Sequence, residues 1–422
     1  MAKDIKELDG GLWILPGARA LVELTGSDKA QDVNFGASPL NQGGYKIAPW
    51  GPDNLQPQKM LELVYGNHLK PQLITTARDL VLGSRIGVFT RRIEGGRIVL
   101  EPVLDTEMED WFEGIDGDAK MQSLAFNLEA FANCFGVLSL ASKNYVEDIQ
   151  SFDATVVRAL VTTKPRPERY ALHHNWANFR ADEAKILPAY DPKNPTKYGE
   201  CLVHGRDWTP GQKYYDLPPY WGSRQWTKVS NKIAKFHESG LDNGYNLKYH
   251  IRIPMGYFDQ FNTPEAKKKA EMDLMANMNE MLAGVENTDK VFVSKYGLDA
   301  MGKPLPGWEI LPIENKMSDK AYESVNQQAN VAHTSSHGID PSLAGIDTGG
   351  KFGGSGSEKR ISYQLHVAMR TPIKRKILLS VLKAACKIQG FNPQHFFGFE
   401  DIDITTIADN PTGKQKVANT SM

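Results

Sequence analysis

Cysteine is scarce in this sequence. Only Cys134, Cys201 and Cys386 occur in 422 residues, and no two of them form a C-x-x-C pair. That excludes a disulfide-framed scaffold and a paired-cysteine zinc site, and leaves reduced, packed thiols as the expected state. Neither sign of charge prevails. Lys and Arg number 49 against 50 Asp and Glu, a formal net charge of -1. A protein that grips nucleic acid over its whole surface is markedly basic, so any such contact here is local or weak. Long apolar runs are also missing. No window approaches the ~18 uninterrupted apolar residues of a membrane span, and the opening MAKDIKELDGG has no apolar signal core. No internal repeat is visible. With 41% hydrophobic residues the chain can still bury a core, as one large or two to three ordinary domains.

Catalytic spacing is absent as well. No Ser-His-Asp or Cys-His arrangement stands out, so no enzyme, cofactor or catalytic residue is expected. His333 and His337 share one helical face, a possible metal pair. No third ligand is near, and Ser335 and Ser336 between them suggest a wet surface, so no metal is expected. His173 and His174 are adjacent in a predicted strand, which sends their rings to opposite faces.

The pattern that is present begins weakly. The first ~50 residues are Gly-rich and read as an arm ordered by its neighbours. Two helices follow, punctuated by Pro57, Gly66 and Pro71. RRIEGGRIVLEPVL reads as a hairpin turning at Gly95-Gly96. Residues 101–119 carry Glu101, Asp105, Glu107, Glu109, Asp110, Glu113, Asp116 and Asp118 and no Lys or Arg, either a solvated face or an interface. FGVLSLAS, VVRALVTT, RYALHH, AKILPAY and GECLVH read as strands.

From Pro218 the character changes to long helices. Trp226, Val229, Ile233 and Phe236 recur at helical spacing, with Lys228, Lys232 and Lys235 elsewhere on the cylinder and Gly240 and Gly244 as its end. YHIRIP is a strand. Thr263 caps a helix with Pro264 at its first position. That helix carries Met272, Met275, Met278 and Met281 at three-residue steps, a stripe that is either core or an adaptable docking surface. Strands are expected around 290–296 and 307–313. A helix from Ser318 is thinly apolar (Tyr322, Val325, Ala329, Ala332) and otherwise neutral and polar, with Asn326, Gln327, Gln328, Asn330 and Thr334. The last long helix, about 356–389, opens with the capping-box spacing Ser355-x-x-Glu358. It meets Pro372, which should kink it, and Gly390 closes it.

Before that helix stands GGKFGGSG, with five glycines in eight positions. Residues 345–352 nearly match the phosphate-binding G-x-x-x-x-G-K-[S/T] loop. The match fails physically. Phe352 replaces the hydroxyl that would hold Mg²⁺, DPSLA is not an apolar strand, and the helix starts too late for its N-terminal amides to meet a phosphate beside Lys351.

Four stretches in order, APWGPDNLQPQKM, YYDLPPYWG with its helix, HGIDPSLAGI and the Ser-Gly of GGSGSEKR, resemble the portal proteins of tailed bacteriophages over about residues 45–390. The resemblance implies an α+β portal-type fold. Its parts would be an N-terminal arm (1–50), a mixed α/β wing (51–217), a first stem helix (218–242), a small α/β clip (243–317), a second stem helix (318–338), a Gly-rich tunnel loop (339–356), the long kinked wing helix (357–400) and a C-terminal strand and tail (401–422). The departure is at the end: the 32 residues after Gly390 leave a helical crown reduced or absent.

The resemblance also implies a homo-oligomeric ring, a dodecamer, at one capsid vertex, with double-stranded DNA passing through without sequence preference. Terminase large subunit, head-tail adaptor and major capsid protein would be partners, and the location the virion, with the host cytoplasm during assembly. Gly349, Gly350, Lys351, Gly353, Gly354 and Ser355 would line the channel in the tunnel loop, Gln327, Asn330 and Thr334 along the stem, and Met272, Met275 and Met278 would form the clip's docking surface. A channel that lets DNA slide cannot be strongly basic, since each Lys or Arg contact releases counterions and tightens binding; the neutral 318–338 helix suits that. A ring needs two different complementary patches. The acidic 101–119 run and the basic 357–390 helix (Lys359, Arg360, Arg370, Lys374, Arg375, Lys376, Lys383, Lys387) are candidates, or two separately solvated faces. Two other readings compete: a soluble enzyme of unknown chemistry with a Gly-rich lid, and another head-tail connector component.

Overall fold

A computed structural model of the chain describes residues 6–8, 12–15, 20–23, 40–42, 44–243, 249–252, 263–270, 272–273, 309–312, 322–346 and 356–402. Its contacts divide into two compact units, one of residues 1–231 and 327–422 and one of residues 232–326. Each is α+β, with small antiparallel sheets rather than one large sheet.

The larger unit begins with strands β1 (Lys6–Leu8), β2 (Leu12–Leu15) and β3 (Ala20–Glu23), paired in that order, and a hairpin of β4 (Leu40–Gln42) and β5 (Tyr45–Ile47). The expected arm therefore carries sheet. Its last residues belong to the body: Ile47, Ala48 and Trp50 are buried. Trp50 stacks on Tyr215 with ring centroids 4.1 Å apart, and Ile47 bridges to Leu160. A boundary at residue 50 would cut through this core. The sequence hid it because aromatic and β-branched residues are sparse there and their partners lie far along the chain.

Helices α1 (Gln56–Tyr65) and α2 (Lys70–Leu82) each carry a proline in the first turn, where the missing N–H costs nothing. Strands β6 (Arg85–Glu94) and β7 (Arg97–Pro102) form the expected hairpin. Gly95 and Gly96 both take positive φ, 56° and 77°, as a two-residue turn between twisted strands requires. Asp105 caps α3 (Thr106–Gly114) by accepting from the Met108 N–H. α4 (Gly117–Phe131) leads into β8 (Asn133–Ser142) and β9 (Tyr145–Phe152), the latter not foreseen from its charge-rich YVEDIQSF. Further on are β10 (Val157–Ala159), β11 (Arg169–Leu172), β12 (Lys185–Pro188) and β13 (Glu200–Arg206). One sheet orders β13-β8-β9 and another β10-β11-β12. His173 and His174 lie just past β11 and not in a strand as expected; His173 is buried and His174 exposed.

A 3-10 turn at Pro219–Ser223 precedes α5 (Arg224–Asn243). Gly240 lies inside α5, so it does not end the helix. In the smaller unit, β14 (Tyr249–Arg252) pairs antiparallel with β15 (Glu309–Pro312). The Thr263 hydroxyl caps residues 264–270 by accepting from the Ala266 N–H. The strand expected around 290–296 lies outside the described residues. α6 (Glu323–His337) returns to the larger unit.

α7 (Gly356–Gln389) has 34 residues and contains Pro372. It stops at Gly390, whose φ is 73°. Its C-terminal half packs Leu378, Val381, Leu382, Ala385 and Ile388 against Trp111, Phe112, Leu124, Leu138 and Phe397 in one buried cluster. The approach is close: a Cβ on Gly136 of β8 would stand 2.7 Å from Val381, so only glycine fits there. β16 (Phe396–Glu400) then adds to β6, giving the sheet β16-β6-β7. All three cysteines are free thiols, and burial pushes Cys134 and Cys386 up to about 12. Among the described residues no helix is long and apolar enough to cross a membrane.

Candidate functional site

Both α5 and α6 are anchored in the larger unit through a knot of polar side chains. α5 inverts the usual amphipathic plan. Ser223, Thr227 and Ser230 are buried, while Trp226 and Val229 are exposed. The spacing of 223, 227 and 230 keeps them on one helical face. Small hydroxyl residues let that face approach closely and satisfy themselves locally, as when the Thr227 hydroxyl donates to the Ser223 carbonyl.

Lys70, at the start of α2, is 1% exposed. Its Nζ donates to Ser223 Oγ at 2.9 Å and lies 3.3 Å from His337 Nε2. It also sits 4.7 Å from the centre of the Tyr220 ring. No carboxylate among the described residues pairs with it. Desolvation therefore lowers its amine to about 7. Tyr220 stacks on His337 with ring centroids 4.7 Å apart and donates to the Ala130 carbonyl. Ser223 and Ser336 hydroxyls meet at 2.8 Å. Asn67 donates to Asn231 at 2.8 Å. These contacts join the ends of both long helices to α2 and α4.

His333 and His337 are not on a wet surface, contrary to the expectation drawn from the serines between them. His333 is fully buried, and neither ring nitrogen has a hydrogen-bond partner. Burial, and then the Lys70 charge, lower His333 to about 4 and His337 to about 2. Both are neutral rings in a crowded polar interior, with Lys70 Nζ beside His337.

A serine 2.9 Å from a lysine of lowered pKa is the chemistry of an activated nucleophile. Here the Ser223 hydroxyl donates to the Tyr220 carbonyl and both side chains are enclosed. The arrangement holds helices; it does not present a reactive oxygen to a substrate.

The proposed channel residues separate. Gln327 is exposed on α6 and Asn330 is half-buried. Thr334 is 1% exposed, and its hydroxyl donates to the Asn330 and Val331 carbonyls. Its hydroxyl is thus used within α6 itself and is closed to solvent in the single chain. The exposed residues around it are Val331 and Ser335. Gly349, Gly350, Lys351, Gly353, Gly354 and Ser355 lie outside the described residues, as do Met275 and Met278. Met272 is exposed.

The basic face of α7 is also partly spoken for. Lys374 pairs with buried Glu129, Arg375 with Asp401 and the Val81 carbonyl, and Lys387 donates to the Pro192 carbonyl. Lys376 and Lys383 remain exposed. In the acidic run, Asp105 is used by the α3 cap and by His395, while Glu107, Asp110, Glu113, Asp116 and Asp118 are exposed. The Lys70–Tyr220–His337 knot was not foreseen. The one sequence signal for it was the small polar spacing Ser223, Thr227, Ser230 on a helix whose apolar residues fall elsewhere.

No protein-family model and no curated protein sequence matches the chain. Its fold does match solved structures. A chain in the virion of a native gene transfer agent particle superposes with a TM-score of 0.60 at 13% identity, over 88% of this chain and 89% of that one. A chain in the neck of an empty gene transfer agent particle, computed with C6 symmetry, gives 0.59 at 13% identity over 87% and 89%. One in the neck of the native particle, computed with C12 symmetry, gives 0.56 at 14% identity over 87% and 89%. The fold is thus shared with components of a particle neck.

Proposed function

We propose that the chain is a portal: a ring at one vertex of a phage-like capsid through which DNA is packaged and ejected. The observation that carries this reading is the shared fold over 88% of the chain with a component of a gene transfer agent virion. Those neck structures were computed with sixfold and twelvefold rotation, which supports a closed ring and, with the sequence resemblance, a dodecamer.

In this reading residues 51–217 and 357–400 form the wing, 218–242 and 318–338 the stem, 243–317 the clip and 339–356 the tunnel loop. The body anchors both stem helices through Lys70, Tyr220, Ser223 and His337, so the polar knot is where force on the stem meets the wing. Gln327 and Asn330 face the channel. The clip, with Met272, Met275 and Met278, docks terminase large subunit and then a head-tail adaptor, while the wing meets the major capsid protein. The protein's place is the virion, after assembly in the host cytoplasm. It performs no chemistry on the DNA.

The tunnel loop contributes Lys351 among Gly349, Gly350, Gly353 and Gly354. One ring of lysines makes few, salt-screened phosphate contacts, too weak to stall sliding. Lys351→Ala should leave assembly untouched and alter the DNA packaged or retained. Joint replacement of Gly353 and Gly354 by Val should do more harm, because glycine alone takes positive φ cheaply. Packaged genome per particle is the measurement. Wild-type values in both variants would mean that the loop neither touches DNA nor needs its freedom.

A further inference from the structure

The outer face of α7 is apolar where it should not be. Ile361, Leu365, Met369 and Ile373 follow one another at four-residue steps, and each is more than half exposed. Side chains so spaced lie in one row on the helix. Ala368 and Pro372, also exposed, widen the row. At its C-terminal end comes exposed Lys376.

A second apolar patch stands on the β6-β7 hairpin. Ile93 and Ile98 face each other across the strands, and Leu100 follows Ile98 on the same side of β7. Leu104 comes just before α3. All four are more than half exposed. The patch runs directly into exposed acids of α3, Glu107 and Asp110.

The two patches cannot meet within one chain. The hairpin and α3 sit at the C-terminal end of α7. Thr90 and Arg91 of β6 share a cleft with Lys383 and Lys387, Trp111 packs on Phe391, and Asp105 meets His395. Met369 is 20 residues from the end of α7 at Gln389, about 30 Å at 1.5 Å per residue. One patch is apolar and ends in a cation; the other, apolar except for Arg91 opposite Leu100 and lying over the Phe396 ring, ends in carboxylates. Contacts between two different patches are head-to-tail, the kind that closes rings.

We propose that the Ile361–Leu365–Met369–Ile373 stripe of one copy is covered by the Ile93–Ile98–Leu100–Leu104 patch of the next copy, with Lys376 facing Glu107 and Asp110. The inference rests on the ring reading above and assigns its contact surface. Burial of two such rows removes apolar area from water on both sides, and the charges at their ends fix register and reject the reversed pairing.

The test uses the full-length chain carrying Met369→benzoylphenylalanine. Illumination of the assembled protein should give covalent dimers whose cross-linked peptide lies within residues 91–113. In parallel, Lys376→Glu should weaken assembly about tenfold, and adding Glu107→Lys and Asp110→Lys to it should restore assembly. A ring whose adducts map elsewhere, or a charge swap that fails to restore it, overturns this inference and leaves the ring standing. A wild-type chain that stays monomeric and gives no adduct overturns the ring and this contact together.

Discussion

Lys374→Met is expected to cost about 3–5 kcal/mol of stability, because it leaves a carboxylate buried without its partner. Lys374 Nζ lies 2.5 Å from Glu129 Oε2, and Glu129 is enclosed within the body. Burial raises the Glu129 carboxyl above its usual range, and the Lys374 charge opposes that rise. The pair fastens α7 to α4 two residues past Pro372, which has no N–H to give the Ala368 carbonyl. The double replacement Lys374→Met with Glu129→Leu should recover most of the loss, since removing both charges also removes their desolvation.

The sign of the pH dependence follows from the raised folded pKa. The folded state holds this proton to higher pH than the unfolded one, so the contribution of Glu129 to stability falls as pH rises from about 4.5 through the folded value. The Lys374→Met deficit should therefore be small at pH 4 and full at pH 7. Urea unfolding of the two singles and the double reads it. A loss below about 1 kcal/mol at pH 7 would place this pair among ordinary solvated ones.

Acid should loosen the anchoring knot. His333 and His337 fold with pKa values of about 4 and about 2, against an ordinary 6.5. The unfolded chain takes up protons that the folded one refuses, so stability falls as pH drops below 6.5. Lys70, folded at about 7 against 10.5, acts in the same sense over a higher window: stability rises as pH climbs from 7 to 10.5. The charges that lower these rings are Lys70 and His68 for His333, and Lys70, His333 and Lys374 for His337, all cations when protonated. The urea midpoint should be lower at pH 5 than at pH 8.

His333→Leu should raise stability by about 1–2 kcal/mol at pH 7, because it removes two buried ring nitrogens without partners. It should also flatten the acid response. A variant that is destabilised, or one with the wild-type pH slope, would mean that the imidazole is satisfied in a way the packing does not show.

Local chemistry made much of this fold legible. Pro57 and Pro71 marked two helix starts, Gly95-Gly96 a hairpin and Gly390 a helix end, because each answers a backbone demand that needs no tertiary partner. β9 was missed because Glu147, Asp148 and Gln150 interrupt its alternation, while its position is set by pairing with β8. Ile47 and Trp50 read in sequence as part of an arm because their partners, Leu160 and Tyr215, lie more than a hundred residues away. The polar knot was hidden for a related reason. Lys70 reads as a surface lysine, and only assembly of α2, α5 and α6 encloses it. The serines flanking His333 and His337 suggested water, yet Ser336 closes on Ser223. On α7 the cations looked like one face, but the helix turns Lys374 and Arg375 toward internal partners and leaves Lys376 outside.

The central claim is a closed ring with an axial hole. The direct measurement is the mass of the full-length protein in solution together with its rotational symmetry by electron microscopy. The account predicts a single closed species, a dodecamer, whose hole is wide enough for duplex DNA. A monomer that persists at micromolar concentration across a range of salt would contradict it.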